Sequence, residues 1–332
     1  MAQKSYRALV VRETEDKKFT AAIEELPMDA LPAGEVLVRV CYSSINYKDM
    51  LSASGNRGVT KRYPHTPGID AAGVVEQSAD PAFKVGEEVI VTSYDLGMNT
   101  AGGLSEYIRV PAAWVVKKPA GLTLRESMIF GTAGFTAALS VLKLKDYGLR
   151  EGAEILVTGA SGGVGSVAVS ILAGMGCRVT AMKGLRDESE FLKSIGASEV
   201  IDIPDPAESK GRPLLKDRWD AAVDTVGGEV LSFAIRSVKA NGAVTCCGNA
   251  GSADLSLTVY PFILRGATLF GIDSQNCNMA QRIRAWELLA GSWKVKSLES
   301  LASEVGLGDV VGVMDSLRSG THRGRTIVKI KG

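Results

Sequence analysis

The hydrophobic pattern changes character about a third of the way along the chain. Between Ser5 and about Val116, apolar residues come in short β-type runs: Ala8 to Val11, Val36 to Val40, Ala72 to Val75, Glu88 to Val91 and Glu106 to Val110. Turn residues separate these runs, as in Pro32-Ala-Gly, Pro67-Gly, Lys84-Val-Gly-Glu and Ala101-Gly-Gly. The pattern predicts a β-rich module, a partly closed barrel. After Pro119 longer apolar stretches predict helices over Leu124 to Phe130 and Ala133 to Leu142.

From Glu154, strands alternate with helices. The expected strands are Ile155 to Thr158, Arg178 to Met182, Glu199 to Asp202, Ala221 to Thr225, Ala243 to Cys247 and Thr268 to Ile272. Helices are expected between them over Val164 to Met175, Glu188 to Ile195 and Glu229 to Val238. This alternation predicts an α/β fold with a doubly wound parallel sheet. Met279 to Ala290 reads as an amphipathic helix with Met279, Ile283 and Trp286 on one face. A helix near Leu307 to Arg318 and a closing strand over Arg325 to Ile330 are expected to fold back on the first module. Residues 204 to 213, rich in Pro, Lys and Glu, read as a mobile loop.

The stretch Ile155-Leu-Val-Thr-Gly-Ala-Ser-Gly-Gly-Val-Gly165 carries the clearest chemistry. A buried strand runs into a glycine turn and then an apolar helix. Glycine without Cβ lets backbone N–H groups approach a pyrophosphate, and the helix offers its positive dipole end to the same anion. A dinucleotide is the expected ligand, although the spacing departs from the commoner G-x-G-x-x-G. The following strand ends Thr180-Ala-Met-Lys183-Gly184-Leu185-Arg186, with both bases ahead of the first acid, Asp187. An acid at this point would accept from a ribose 2'-OH, whereas bases pair with a 2'-phosphate, so the expected cofactor is NADPH.

Composition narrows the classes. The chain has 332 residues and a formal net charge of +1, with Lys and Arg spread along it, so no nucleic-acid or membrane-surface partner is suggested. No apolar run in the sequence approaches the length of a membrane span, and the start of the chain shows no secretory pattern, so the expected location is the cytoplasm. Five cysteines and two histidines fall at no metal-ligand spacing. Cys246-Cys247 reads as a pair of core thiols.

Several motifs occur in the order found in medium-chain dehydrogenase/reductases. They are Asn46-Tyr-Lys-Asp49, Pro67-Gly-Ile-Asp-Ala-Ala-Gly-Val-Val75, Phe83-Lys-Val-Gly-Glu-Glu-Val89, Gly102-Gly-Leu-Ser-Glu-Tyr-Ile-Arg-Val-Pro111 and Gly131-Thr-Ala-Gly-Phe-Thr-Ala137, besides the glycine turn. With Pro-Phe-Ile-Leu-Arg at 261 to 265, the chain resembles the zinc-free quinone oxidoreductase branch, and within it the acrylyl-CoA reductase group of YhdH- and YhfP-type proteins. Zinc-dependent relatives place a cysteine near Asn46, a His-Glu pair at Ile69-Asp70 and often a four-cysteine lobe, none of which this chain has.

The resemblance implies a GroES-like catalytic domain over 1–123, completed by 275–332, and a Rossmann NADPH-binding domain over 124–274. It implies that Ser161, Gly162, Gly163 and Val164 hold the pyrophosphate, with Lys183 and Arg186 at the 2'-phosphate. Tyr47 would line the nicotinamide side with Thr132 and Thr136 nearby, and Asn249, Ile263 and Ser274 would complete the cofactor contacts. Other roles stay open: Thr132 and Thr136 as helix caps or packing, Ile263 as core, Ser274 as the cap of the next helix.

Without a Lewis acid, hydride transfer needs an acceptor that is already electron-poor, an activated C=C bond or a quinone. For acryloyl-CoA, Asn46 and Tyr47 are the candidate donors at the thioester oxygen, with Asp49 orienting them; Asn46 and Asp49 fixing a turn is the alternative. Related enoyl-thioester reductases carry a tyrosine as proton donor two residues after a glycine, where this chain has Arg57, so the acid is unassigned. Arg57, Lys61 and Arg62 are candidates for the CoA phosphates, or a solvated basic loop. The rival readings are a quinone reductase and a non-catalytic NADPH-binding sensor. An apolar sixth strand, Thr268 to Ile272, predicts a homodimer paired along that edge.

Overall fold

The computed structural model describes residues 4–184, 186–205, 207, 211–296 and 298–330. In chain order the elements are β1 (Ser5–Glu13), β2 (Phe19–Pro27), β3 (Val36–Ser44), α1 (Tyr47–Ala53), β4 (Asp70–Ser78), β5 (Glu88–Thr92), β6 (Tyr107–Val110), β7 (Val115–Lys117) and α2 (Leu124–Tyr147). Then come β8 (Glu154–Val157), α3 (Gly163–Gly174), β9 (Arg178–Met182), α4 (Ser189–Ser194), β10 (Glu199–Ile201), β11 (Trp219–Asp224), α5 (Gly228–Ser237) and β12 (Val238–Cys246). The chain closes with α6 (Tyr260–Arg265), β13 (Thr268–Gly271), α7 (Met279–Ala290), β14 (Ala302–Gly306), α8 (Val310–Arg318) and β15 (Arg325–Lys329).

Two compact units result: Met1–Thr132 with Gln275–Ala290 and Leu298–Gly332, and Ala133–Ser274 with Gly291–Ser297. The chain leaves the first unit inside α2 rather than before it, and residues 291–297 return to the second.

In the first unit, β3 is the central strand. It pairs antiparallel with β4 along one edge, and with β6 and then β15 along the other. The sheet runs β14-β15-β3-β4-β5-β7, and β1 and β2 form a separate hairpin. Inward-facing Val36, Val38 and Val40 meet Val89, Val91, Ile108 and Val328 in the core, the period-2 burial expected of a half-buried strand. The second unit carries a six-stranded parallel sheet in the order β10-β9-β8-β11-β12-β13, which leaves β13 on an edge. Leu156, Trp219, Ala222, Leu231 and Val244 pack between sheet and helices.

Several elements differ from expectation. The two helices expected over Leu124 to Leu142 are not among them: α2 is two helical segments that meet at Gly131, whose φ and ψ of 50° and −157° no helix allows. Strands β2, β7 and β14 and helices α1 and α6 have no counterpart in the hydrophobic reading. Near Leu307 the helix begins only at Val310, after a 3-10 turn. Of the loop expected at 204 to 213, residues 206 and 208–210 lie outside the described residues. Helix α2, taken whole, does reach the length and apolarity of a membrane span, but 89% of its apolar window is buried, as in a core helix.

Candidate functional site

The glycine turn of the parallel-sheet unit is built by crowding. Gly159 has a φ of 56°, and a Cβ there would stand 2.3 Å from Thr225 Oγ1. A Cβ on Gly165 would stand 2.2 Å from the Gly159 carbonyl oxygen, so side chains are barred where α3 crosses the end of β8. Helix α3 starts at Gly163 with Gly162 as its cap, and Ser161, Gly162, Gly163 and Val164 are all half-buried. Their N–H groups at a helix start suit a pyrophosphate. Beneath the turn lies a group the sequence reading misses, the buried Asp224. It accepts from Thr158 Oγ1 at 2.7 Å and from the Gly227 N–H at 2.8 Å, which ties the ends of β8 and β11 together. Burial raises its carboxyl above the ordinary range.

Lys183 follows β9 as expected, but its Nζ is 2.5 Å from Asp202 Oδ1, a carboxylate at the end of the neighbouring β10. Arg186 is exposed. Asn249, after β12, is exposed, and Ser274 is half-buried. Two alternatives fail. Ile263 is not core, being 66% exposed on α6. Ser274 does not cap the following helix, because α7 starts at Met279 and Asn278 Oδ1 accepts the Gln281 N–H there. Thr136 is buried within α2. At the end of β12, Cys246 and Cys247 are half-buried rather than core, and burial pushes the Cys247 thiol up to about 12.

In the β-rich unit the structure gathers Asn46, Asp49 and Thr132 around a carboxylate not singled out from the sequence as a site residue. Asp70, fully buried at the start of β4, accepts from Ser44 Oγ (2.6 Å), Asn46 Nδ2 (2.7 Å), the Thr132 N–H (2.9 Å) and Thr132 Oγ1 (2.6 Å). The buried Arg325 guanidinium of β15 lies 3.6 Å from it and donates to Ser44 Oγ, the Ile129 carbonyl and Asn46 Oδ1. Burial lowers the Arg325 pKa, against the opposing pull of Asp70. The break at Gly131 turns the Thr132 N–H onto Asp70. Thr132 also meets Ser93 Oγ at 2.9 Å.

Both ends of the Asn46 amide are thus committed: Oδ1 to Arg325, Nδ2 to Asp70 and to the Ser44 carbonyl. Asp49 is committed as well. Its Oδ2 accepts the Asn46 N–H and its Oδ1 the N–H groups of Gly68 and Ile69, fixing the start of α1 to the entry of β4. The turn-fixing role weighed for Asn46 and Asp49 is what these bonds do. Tyr47, first residue of α1, is 45% exposed and open to a ligand.

Arg57 is held elsewhere. Its guanidinium pairs with Glu13 at 2.6 Å, donates to the Lys61 carbonyl, and lies 5.7 Å and 5.1 Å from the ring centroids of Phe19 and Tyr63. Arg62 is exposed. Among the described residues, no three His, Cys, Asp or Glu side chains gather as metal ligands.

Residues 32–120 match the alcohol dehydrogenase GroES-like domain family and residues 163–290 the zinc-binding dehydrogenase family. The chain is 44% identical to the putative quinone oxidoreductase YhfP of Bacillus subtilis, over 94% of this chain and 93% of that protein. It is 42% identical to the acrylyl-CoA reductase AcuI of Ruegeria pomeroyi, over 98% of this chain and 99% of that one. The crystal structure of the yhdH oxidoreductase from Salmonella enterica in complex with NADP superposes with a TM-score of 0.94 at 42% identity, covering 98% and 100% of the two chains. That of Bacillus subtilis protein yhfP with NAD bound gives 0.94 at 41%, covering 99% and 100%. On a likeness sustained over nearly its whole length, the chain belongs to the medium-chain dehydrogenase/reductase superfamily, in the group that holds the acrylyl-CoA reductases and the YhdH- and YhfP-type proteins.

Proposed function

We propose that this oxidoreductase is an NADPH-dependent reductase of activated C=C bonds, with acryloyl-CoA as its favoured substrate. The observation that carries the reading is the set of bonds around Asp70. At the positions where zinc-dependent relatives hold metal ligands, this chain has a carboxylate engaged by Ser44, Asn46 and Thr132 and paired with Arg325. A carboxylate already surrounded by donors and a guanidinium suits no metal cation, and the acceptor must therefore be electron-poor on its own account. The 42% identity to an acrylyl-CoA reductase over almost the entire chain supports an enoyl thioester.

When bound, NADPH would supply a hydride to Cβ of the thioester, and Cα would take the balancing proton from an acid that is not among the residues assigned here. Ser161, Gly162, Gly163 and Val164 hold the pyrophosphate through the start of α3, and Lys183 with Arg186 holds the 2'-phosphate. Asn249, Ile263, Ser274 and Thr136 are assigned to the same cofactor on the family likeness. Asn46, with its amide spent, orients α1 and does not donate to substrate. The exposed Tyr47 hydroxyl is then the donor to the thioester oxygen as negative charge develops there. Asp49 holds the helix that presents it.

Nicotinamide absorbance followed with acryloyl-CoA, crotonyl-CoA and a panel of quinones tests the reading. Turnover of the thioesters is expected; turnover of quinones alone would replace it with the second reading, quinone reduction, which the identity to YhfP favours. We further infer a cytoplasmic homodimer. Among the described residues no disulfide joins the cysteines, as in a reducing compartment. The β13 edge carries half-buried Leu269 and Phe270, a strand that a two-fold mate would pair. Sedimentation as a monomer at micromolar concentration would remove the dimer.

A further inference from the structure

Helix α1 has seven residues, too few for a helix to hold its own course in water. Its opening residue, Tyr47, is therefore aimed by whatever fastens the chain at that point. Asp49 does part of this by closing the helix start onto the entry of β4. The rest comes from the far end of the sequence, from Arg325 and Thr326 in β15.

The Arg325 guanidinium, 2% exposed, grips the three consecutive residues that lead into Tyr47. Nη2 donates to Ser44 Oγ at 2.8 Å, and Nη1 donates to the Ile45 carbonyl and to Asn46 Oδ1, both at 3.1 Å. The next residue completes the hold, since the Thr326 carbonyl accepts the Ile45 N–H at 2.9 Å. Nε donates to the Ile129 carbonyl at 3.0 Å, which fixes the guanidinium itself. A guanidinium only donates, and the directions of the neighbouring bonds follow. Ser44 Oγ accepts from Arg325 and gives its one hydrogen to Asp70 Oδ2 at 2.6 Å, and Asn46 turns Oδ1 to Arg325 and Nδ2 to Asp70. Four acceptors spread over residues 44 to 46 and α2 call for a planar fork with three nitrogens; an ammonium carries its hydrogens on one atom and cannot span them.

We propose that Arg325 is a positioning residue for the reduction: by gripping Ser44, Ile45 and Asn46 it fixes the direction in which α1 presents the Tyr47 hydroxyl to the thioester oxygen. This rests on the reading that Tyr47 is the donor to that oxygen. A donor that meets charge as it develops has to be in place beforehand, and a misplacement of about 1 Å can cost on the order of a hundred-fold in rate. Arg325 is buried and acts only through the residues it holds, so its loss falls on turnover by way of Tyr47.

The test compares Arg325→Lys, Tyr47→Phe and the double variant that combines them. Lysine keeps a cation beside the buried Asp70 and loses the fork. Should it not fold, Arg325→Met with Asp70→Asn, which leaves no buried charge unpaired, takes its place in the same comparison. The readouts are kcat and KM with acryloyl-CoA, NADPH Kd by fluorescence titration, and the melting temperature. Tyr47→Phe and Arg325→Lys are each expected to lower kcat about ten- to hundred-fold, and Arg325→Lys to leave the NADPH Kd within about two-fold of wild type. The double variant should be within about two-fold of Tyr47→Phe in kcat, because without the hydroxyl nothing is left to aim. Losses that multiply in the double variant would overturn the proposal and make Arg325 a structural residue. A slow Tyr47→Phe beside an Arg325→Lys of wild-type kcat would overturn it too, and leave the role of Tyr47 standing. Wild-type kcat in Tyr47→Phe would overturn both.

Discussion

Gly131 lies so close to Asp70 that a Cβ added to it would stand 2.4 Å from the carboxylate Oδ2. It would also stand 2.5 Å from Ser44 Oγ and 2.8 Å from Arg325 Nη2, all three buried and none able to retreat without breaking a bond to the others. The left-handed φ at Gly131 adds strain for any side chain. Gly131→Ala is expected to cost about 2–4 kcal/mol of stability. Urea denaturation measures it, and an unchanged midpoint would show that the Asp70 cluster can spread at little cost.

Lys183 and Arg186 should set the choice of dinucleotide. Lys183→Asp combined with Arg186→Ala is expected to raise the KM for NADPH at least about ten-fold while changing that for NADH little. An unaltered preference would mark both bases as solvated charges.

Lys183 is paired with Asp202, whose hydrogen bond holds it more firmly protonated, so under the proposed role of Lys183 the carboxylate would compete with a 2'-phosphate for it. Asp202→Asn should lower the KM for NADPH about two- to five-fold, by removing an anion beside the anion to be bound. A higher KM would mean that Asp202 orients Lys183 productively.

The stability of the β-rich unit should depend on pH through Asp49. Burial, with the charge of Asp70 second, pushes this carboxyl up to about 7. Folding therefore favours its protonated form: the stability it contributes is complete below about pH 4 and is lost as pH rises through about 7. His322 runs the other way. Burial and Arg325 press it down to about 4, so its contribution is present above about pH 6.5 and lost as pH falls through about 4. Asp49→Asn removes only the first effect, so its melting temperature relative to wild type should climb between about pH 5 and about pH 8. A constant offset would show that Asp49 stays ionised throughout.

Arg57→Ala should act on folding. Losing the Glu13 pair and the Phe19 and Tyr63 ring contacts should cost about 1 kcal/mol, with little change in the KM for acryloyl-CoA. Arg62→Ala, which removes an exposed cation, should raise that KM if this loop meets the CoA phosphates. The reverse result would return the phosphate role to Arg57.

What the sequence makes legible is local. The turn from Gly159 to Gly165 can be read because strand, glycines and helix are consecutive, and Arg178–Met182 and Met279–Ala290 carry their periodicity within one element. The Asp70 cluster has no such signature. Arg325 reaches Asp70 because β15 pairs with β3 and β3 with β4, a meeting that no window of residues contains. Asp202 reaches Lys183 in the same way, from the end of the adjacent parallel strand. Strand β2 escapes notice because it lies in a two-stranded hairpin, where Ile23 and Leu26 stay partly exposed and the apolar contrast is weak. Helix α6 is only six residues long and opens on Tyr260-Pro261, a proline in the first turn where a missing N–H costs nothing.

The pairing of Lys183 with Asp202 bears on ionic strength. An ammonium that already holds a carboxylate captures a phosphate by exchanging one anion for another, with less net charge for dissolved ions to screen. NADPH affinity should therefore fall less steeply with added salt in the wild-type chain than in Asp202→Asn, so that the built-in counter-ion trades peak affinity for constancy across changing cellular salt.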